Sequence, residues 1–160
     1  MPMGPIELAD QVGLDICLAV GDMLRSKFGD SLPPTPSWLR EKVAKGELGR
    51  KSGKGFYVWK DGKADKASAS STTPPTAEMI DRLVLPMSNV CVACLREGIV
   101  DNADTVDGAM IFGTGYAPFR GGPLNYARTR GAEDVAATLR ALAAKFGDRF
   151  TPDAGWDSFK

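Results

Sequence analysis

Gly4-Pro5-Ile6-Glu7-Leu8-Ala9-Asp10-Gln11-Val12-Gly13 returns 118 positions later as Gly122-Pro123-Leu124-Asn125-Tyr126-Ala127-Arg128-Thr129-Arg130-Gly131. The match runs on without a gap: Ala19, Leu24, Lys27, Phe28, Gly29, Asp30 and Pro34 meet identical residues at 137, 142, 145, 146, 147, 148 and 152. Duplicated units stack so that each buries an apolar face of its neighbour. The copies are unequal, however. Residues 78–121 precede Gly122, whereas only three residues precede Gly4. If both copies share one layout, the chain starts mid-unit and the first copy lacks its opening helix pair. An apolar surface is then exposed or met by another chain.

Outward from the repeat, the spacing is helical. Leu14, Cys17, Leu18, Gly21, Leu24, Arg25 and Phe28 fall at three- and four-residue steps, which predicts one helix over 4–30 ending at Phe28-Gly29. Thr35-Pro36-Ser37 predicts a short helix with Thr35 as N-cap, Pro36 in the first position and Leu39 and Val43 inward. Ile80, Leu83, Val84, Met87, Cys91, Cys94 and Leu95 form the stripe of a further helix, kinked at Pro86. A helix over 103–112, capped by Asn102 or Asp104, and one over 132–146 follow, separated by a turn-rich connector at 113–123. Phe56-Tyr57-Val58-Trp59, with the turn at Asp61-Gly62, is the one convincing β run. In it Phe56 and Val58 should face one way, Tyr57 and Trp59 the other. The expected organisation is a first, N-terminally shortened repeat over 1–62, a Lys/Ala/Ser/Thr/Pro-rich linker over 63–75, and a second repeat over 76–160.

Composition removes several function classes. The chain has 160 residues, 43% of them hydrophobic and 25% charged, as expected of about one folded domain. Twenty basic and twenty acidic residues cancel, so nothing points to a nucleic-acid partner. No apolar run reaches the ~20 residues of a membrane span, and the N-terminus lacks a signal-peptide pattern. Histidine is absent, which excludes Ser-His-Asp and Cys-His nucleophile systems and histidine-containing zinc sites. Cys91 and Cys94 spell C-x-x-C without a second pair, and read as two small apolar residues one helical turn apart. No metal site is expected. With three cysteines, a reducing compartment is the simpler reading.

Three motifs together resemble one family. Pro2-Met3-Gly4-Pro5-Ile6-Glu7-Leu8-Ala9-Asp10-Gln11-Val12-Gly13-Leu14-Asp15, Leu48-Gly49-Arg50-Lys51-Ser52-Gly53-Lys54-Gly55-Phe56-Tyr57 and Gly113-Thr114-Gly115-Tyr116-Ala117-Pro118-Phe119-Arg120-Gly121-Gly122-Pro123 resemble the C-terminal helical region of the 3-hydroxyacyl-CoA dehydrogenases. Its duplication is similar to that in multifunctional fatty-acid-oxidation proteins. The resemblance implies an all-α fold of two pseudo-repeated units of the 6-phosphogluconate-dehydrogenase-C-terminal-like type, with one short β-hairpin. It implies a cytoplasmic oxidoreductase of fatty-acid β-oxidation, a branch of lipid metabolism, that turns 3-hydroxyacyl-CoA into 3-ketoacyl-CoA with NAD. In that family a Rossmann domain carries the glycine fingerprint and a His-Glu pair. This sequence has neither a strand–GxGxxG–helix unit nor a histidine, so no cofactor is expected on this chain, and NAD only on a full-length enzyme. The family's active-site Asn falls before Met1 in the first copy and at Asp81 in the second. No catalytic residue carries over, and the isolated chain is expected to be inactive. The implied partners are a missing NAD-binding domain, an acyl-CoA substrate and, in a homo-oligomer, further copies of the enzyme. The alternative is a non-catalytic helical interaction module that kept the fold.

Two candidate sites follow. The family segment at Met3-Gly4-Pro5 lies near the acyl cleft, which implies a lining role for Met3 and Pro5; a structural helix-entry turn competes with it. Residues 40–66 hold nine basic residues against four acidic ones. Within them Arg50, Lys51 and Lys54 are candidate contacts for CoA phosphates, against the commoner reading of a solvated face. Asp107 receives no role. Asn89 is read as a hydrogen-bonding residue between the repeats.

Overall fold

A computed structural model describes residues 3–29, 32–66 and 74–159. Met1, Pro2, Asp30 and the 67–73 part of the expected linker lie outside it. The chain divides into two compact units, 2–73 and 74–160. Both are mainly helical, and a two-stranded sheet is the extended structure among the described residues.

In the first unit, α1 (Pro5–Val12) and α2 (Leu14–Phe28) are separate helices, where the periodicity predicts one. The break is Gly13, at φ 107°, whose amide closes α1 on the Ala9 carbonyl. A side chain at that φ is strained, and a Cβ would press on Asp15 and Lys51. The apolar spacing is blind to this, because it carries on across the turn. The helix α3 (Ser37–Ala44) has Pro36, not Thr35, at its N-cap position. The Thr35 hydroxyl instead donates to Asp22 at 2.7 Å, tying the loop to α2.

The strand β1 covers only Val58–Lys60 and pairs antiparallel with β2 (Lys63–Asp65), Trp59 opposite Ala64. Asp61 and Gly62 both take positive φ, 50° and 74°, as a two-residue hairpin turn requires. Thus Lys63–Asp65 are strand, where the composition suggests linker. Phe56 and Tyr57 drop out of the expected strand because their amides are bound elsewhere, as described below. Trp59 and Leu39 are buried with Leu14, and Val58 is exposed.

The second unit repeats the first two helices at the same offset: α6 spans Pro123–Arg130 and α7 spans Ala132–Phe146, broken at Gly131, φ 102°. Ahead of them stand α4 (Ala77–Arg96) and α5 (Ala103–Thr114). Thr76 and Asn102 cap these two, accepting from the amides of Met79 and Thr105. The helix α4 continues through Pro86, and its buried positions are Leu85, Ser88, Cys91 and Val92. Of the expected stripe, Ile80 and Leu83 are exposed, so the inward face is rotated relative to the apolar spacing. Leu85 and Val92 join Val106, Leu124, Val135 and Leu139 in one core. Trp156, in the short turn Ala154–Asp157, closes it.

Candidate functional site

The basic, glycine-rich loop is the natural place to look for a phosphate cradle. Its backbone wraps a carboxylate of the protein itself. Asp10, on α1, is fully buried. It accepts hydrogen bonds from the Phe56 amide at 2.8 Å, the Tyr57 amide at 2.9 Å and the Trp59 indole at 2.9 Å. Glycines at 49 and 55 let the loop lie directly on Asp10, since a Cβ at either would overlap it. Successive amides converging on an anion form the same concavity that binds phosphate. Here the anion is internal.

The three candidate cations are also engaged. Arg50 donates to Gln11 Oε1 at 2.9 Å, Lys51 pairs with Asp15 at 2.6 Å, and Lys54 pairs with Glu47 at 2.6 Å. Lys51 holds the Asp15 carboxyl below its usual range, and Lys42 together with Lys54 pulls Glu47 down to about 2. All three side chains point to acidic or amide partners within their own unit. Met3 is half-buried and Pro5 is exposed at the first turn of α1.

Three polar residues organise the fold, and the sequence reading missed or misplaced each. Asp107, given no role from the sequence, is buried and accepts from the amides of Leu124 at 2.7 Å and Asn125 at 2.8 Å. It thereby serves as the N-terminal cap that Gly122 cannot supply. Gly122, at φ 108°, has no room for a Cβ because Asp107 occupies it. Asn89, read from the sequence as a hydrogen-bonding residue between the repeats, bonds to the 151–156 segment of its own unit. Its side chain donates to the Thr151 carbonyl and accepts from the Asp153 amide and the Trp156 indole, all within the second unit. Asp81, at the position the family resemblance aligns with an active-site Asn, forms a two-point ion pair with Arg130. A helix opening on Gly-Pro, with no side-chain cap of its own, was the available signal for a carboxylate arriving from elsewhere.

NAD does not fit these residues. Among the described residues there is no parallel βαβ unit, and the basic glycine-rich loop already encloses Asp10. No group of three metal-ligating side chains and no helix long and apolar enough to cross a membrane occur among them either.

Residues 1–59 match the family model described as 3-hydroxyacyl-CoA dehydrogenase, C-terminal domain. The chain is 37% identical, over 96% of its length, to fatty acid oxidation complex subunit alpha of Shewanella amazonensis, and equally so to that of Vibrio cholerae. It spans 23% of the length of either relative. Among solved structures, 3-hydroxybutyryl-CoA dehydrogenase from Escherichia coli K12 shares the fold over 98% of this chain and 51% of its own, with a TM-score of 0.74 at 20% identity. The dehydrogenase part of multifunctional enzyme 1 from C. elegans shares it over 99% and 39%, with a TM-score of 0.60 at 18% identity. Residues 1–59 are thus similar to that C-terminal domain, the chain as a whole is similar in sequence to one region of the fatty acid oxidation alpha subunits, and it shares the fold of the two dehydrogenases.

Proposed function

We propose that this chain serves as the substrate-side and subunit-contact region of an NAD-dependent 3-hydroxyacyl-CoA dehydrogenase of cytoplasmic fatty-acid β-oxidation. The observation that carries the reading is 37% identity, along nearly the entire chain, to a defined quarter of the fatty acid oxidation alpha subunits. In this reading an NAD-binding domain outside these 160 residues supplies hydride acceptance and the base. The helical units close over the acyl-CoA and contribute to self-association. Met3 and Pro5 then line the acyl cleft. Arg50, Lys51 and Lys54 lie where CoA phosphates could draw them from Gln11, Asp15 and Glu47, at the cost of those contacts.

The test is complementation. The chain is mixed with the NAD-binding half of the Escherichia coli 3-hydroxybutyryl-CoA dehydrogenase, and NADH formation from 3-hydroxybutyryl-CoA is followed. The chain alone should give none and the mixture should gain activity over either part. Turnover by the chain alone overturns the reading. No gain in the mixture favours the second reading, a non-catalytic helical interaction module, whose support is the number of apolar side chains on exposed helix faces.

A further inference from the structure

Two Asp-Gly pairs occur in the sequence, Asp61-Gly62 and Asp107-Gly108. An aspartate followed by glycine is the least hindered setting for attack of the next backbone nitrogen on the side-chain carboxyl, because glycine carries no Cβ beside that nitrogen. The fold treats the two pairs oppositely. Asp107 is 5% exposed, and both its carboxylate oxygens accept amides of α6. Gly108 lies inside α5, where its amide belongs to the helix ladder. Asp61 and Gly62 are both exposed at the tip of the β1–β2 hairpin. Lys60 pairs with Lys63, which leaves the Gly62 amide outside the ladder.

The turn can bring the two reacting atoms together without unfolding. φ is 50° at Asp61 and 74° at Gly62, the pattern of a type I′ turn. In that turn ψ of the first central residue is about +30°, which holds the following nitrogen away from the first residue's Cβ. Rotating the central peptide gives type II′, with ψ of about −120° at the same positive φ. There tetrahedral geometry at Cα eclipses the Gly62 nitrogen with the Asp61 Cβ, the arrangement that a five-membered ring requires. Both turn types close the same strand pair, so β1 and β2 keep their register while the peptide rotates. Glycine at 62 makes the rotation accessible, since its φ must change sign. The end of the Arg50 side chain lies nearest, 3.1 Å from where a Cβ on Gly62 would stand, and a flexible side chain can move aside.

We propose that Asp61 is a covalent modification site, at which the folded hairpin converts aspartate to isoaspartate through a cyclic imide. The Gly62 nitrogen bonds to Asp61 Cγ and loses its proton, and a carboxyl oxygen leaves as water. Water then opens the imide. Cleavage between the nitrogen and the Asp61 main-chain carbonyl carbon leaves the chain running through Cβ and Cγ; cleavage at Cγ restores aspartate. No other reactant is consumed. The isoaspartyl turn is one backbone atom longer, which a two-residue hairpin cannot absorb at the Lys60–Lys63 pair. The change therefore reaches Trp59, which stands opposite Ala64 and bonds through its indole to Asp10.

In the test, the full chain is aged at neutral pH and digested. Isoaspartate is located by mass spectrometry and by methylation with an isoaspartyl carboxyl methyltransferase. It should accumulate at residue 61 at least about tenfold faster than at 107, where two hydrogen bonds must first open. Asp61→Asn should yield the same product faster, with ammonia leaving in place of water, and Asp61→Glu should abolish the methyl-accepting signal. A second Trp59 indole resonance should grow in step with the product. Equal rates at 61 and 107 overturn the proposal, as does a signal that survives Asp61→Glu. So does isoaspartate that forms only at urea concentrations that unfold the chain, because the reaction would then belong to the unfolded polypeptide and not to the turn. An unchanged Trp59 resonance beside isoaspartate at 61 overturns the coupling to Asp10.

Discussion

The Trp59 indole donates to Asp10 Oδ2 at 2.9 Å across forty-nine residues of sequence, joining the hairpin to the first helix. Among the described residues, the donors to this carboxylate are all neutral. It is balanced by neutral donors, two backbone amides and the indole, all on the 56–59 segment. Such an arrangement satisfies the ion by hydrogen bonding alone, and it fixes where the loop must run.

Asp10→Ala should therefore cost about 3 kcal/mol in urea unfolding, because one buried and two partly buried donors lose their acceptor. Asp10→Asn keeps the shape but places N–H groups against N–H groups, and should recover little. The Trp59 indole resonance should shift in both variants. A loss no larger than that of a surface substitution would show that the loop is held by other contacts.

Asp107→Ala tests the second internal cap. It should cost about 2 kcal/mol, the upper end of what N-cap removal costs, because one buried and one partly buried amide of α6 are left unbonded. Gly122→Ala should destabilise on its own, through its φ of 108° and through collision with Asp107. The double variant should then lose less than the sum, since removing Asp107 removes the collision.

The repeat was legible as sequence identity, and so were the helix ends that depend on Asn102 and Gly29. What stayed hidden was long-range polar bonding. Asp10 and Asp107 look like ordinary helix-surface acids, because their donors lie far along the chain. The candidate site was misread for the same reason. A run of Arg, Lys and Gly from 49 to 55 has the composition of a phosphate loop, yet its anion is a side chain of α1. The Trp38–Trp156 correspondence continues the repeat beyond Pro34, where identity is too thin to notice without the helices in place.

The C-x-x-C pair should be chemically quiet at its first member. Cys91 is buried, and desolvation raises its thiol to about 11, with Cys94 and Asp107 adding to the effect. At pH 8 its thiolate fraction is about 100-fold below that of a thiol of ordinary pKa. Iodoacetamide should label Cys91 at a useful rate only after unfolding. Rapid labelling of native protein would show that α4 opens far more readily than its core contacts imply.

Glu47 gives the chain a stability term confined to acid. Lys42 donates to its carboxylate at 2.8 Å and Lys54 pairs with it at 2.6 Å, which lowers it from 4.5 to about 2. A carboxyl with a depressed folded-state pKa stabilises the native state above its unfolded value and loses that contribution as pH falls through the folded one. The contribution is therefore complete above pH 4.5 and disappears between 4.5 and about 2. Glu47→Gln should flatten the acid limb of a plot of thermal midpoint against pH within that window, while near-neutral pH shows a constant offset from the parent. High salt should shrink that offset, because both lysines reach toward solvent. Equal acid slopes for parent and variant would mean that the Lys42–Glu47–Lys54 contacts persist in the unfolded chain or are too loosely held to favour the charged form.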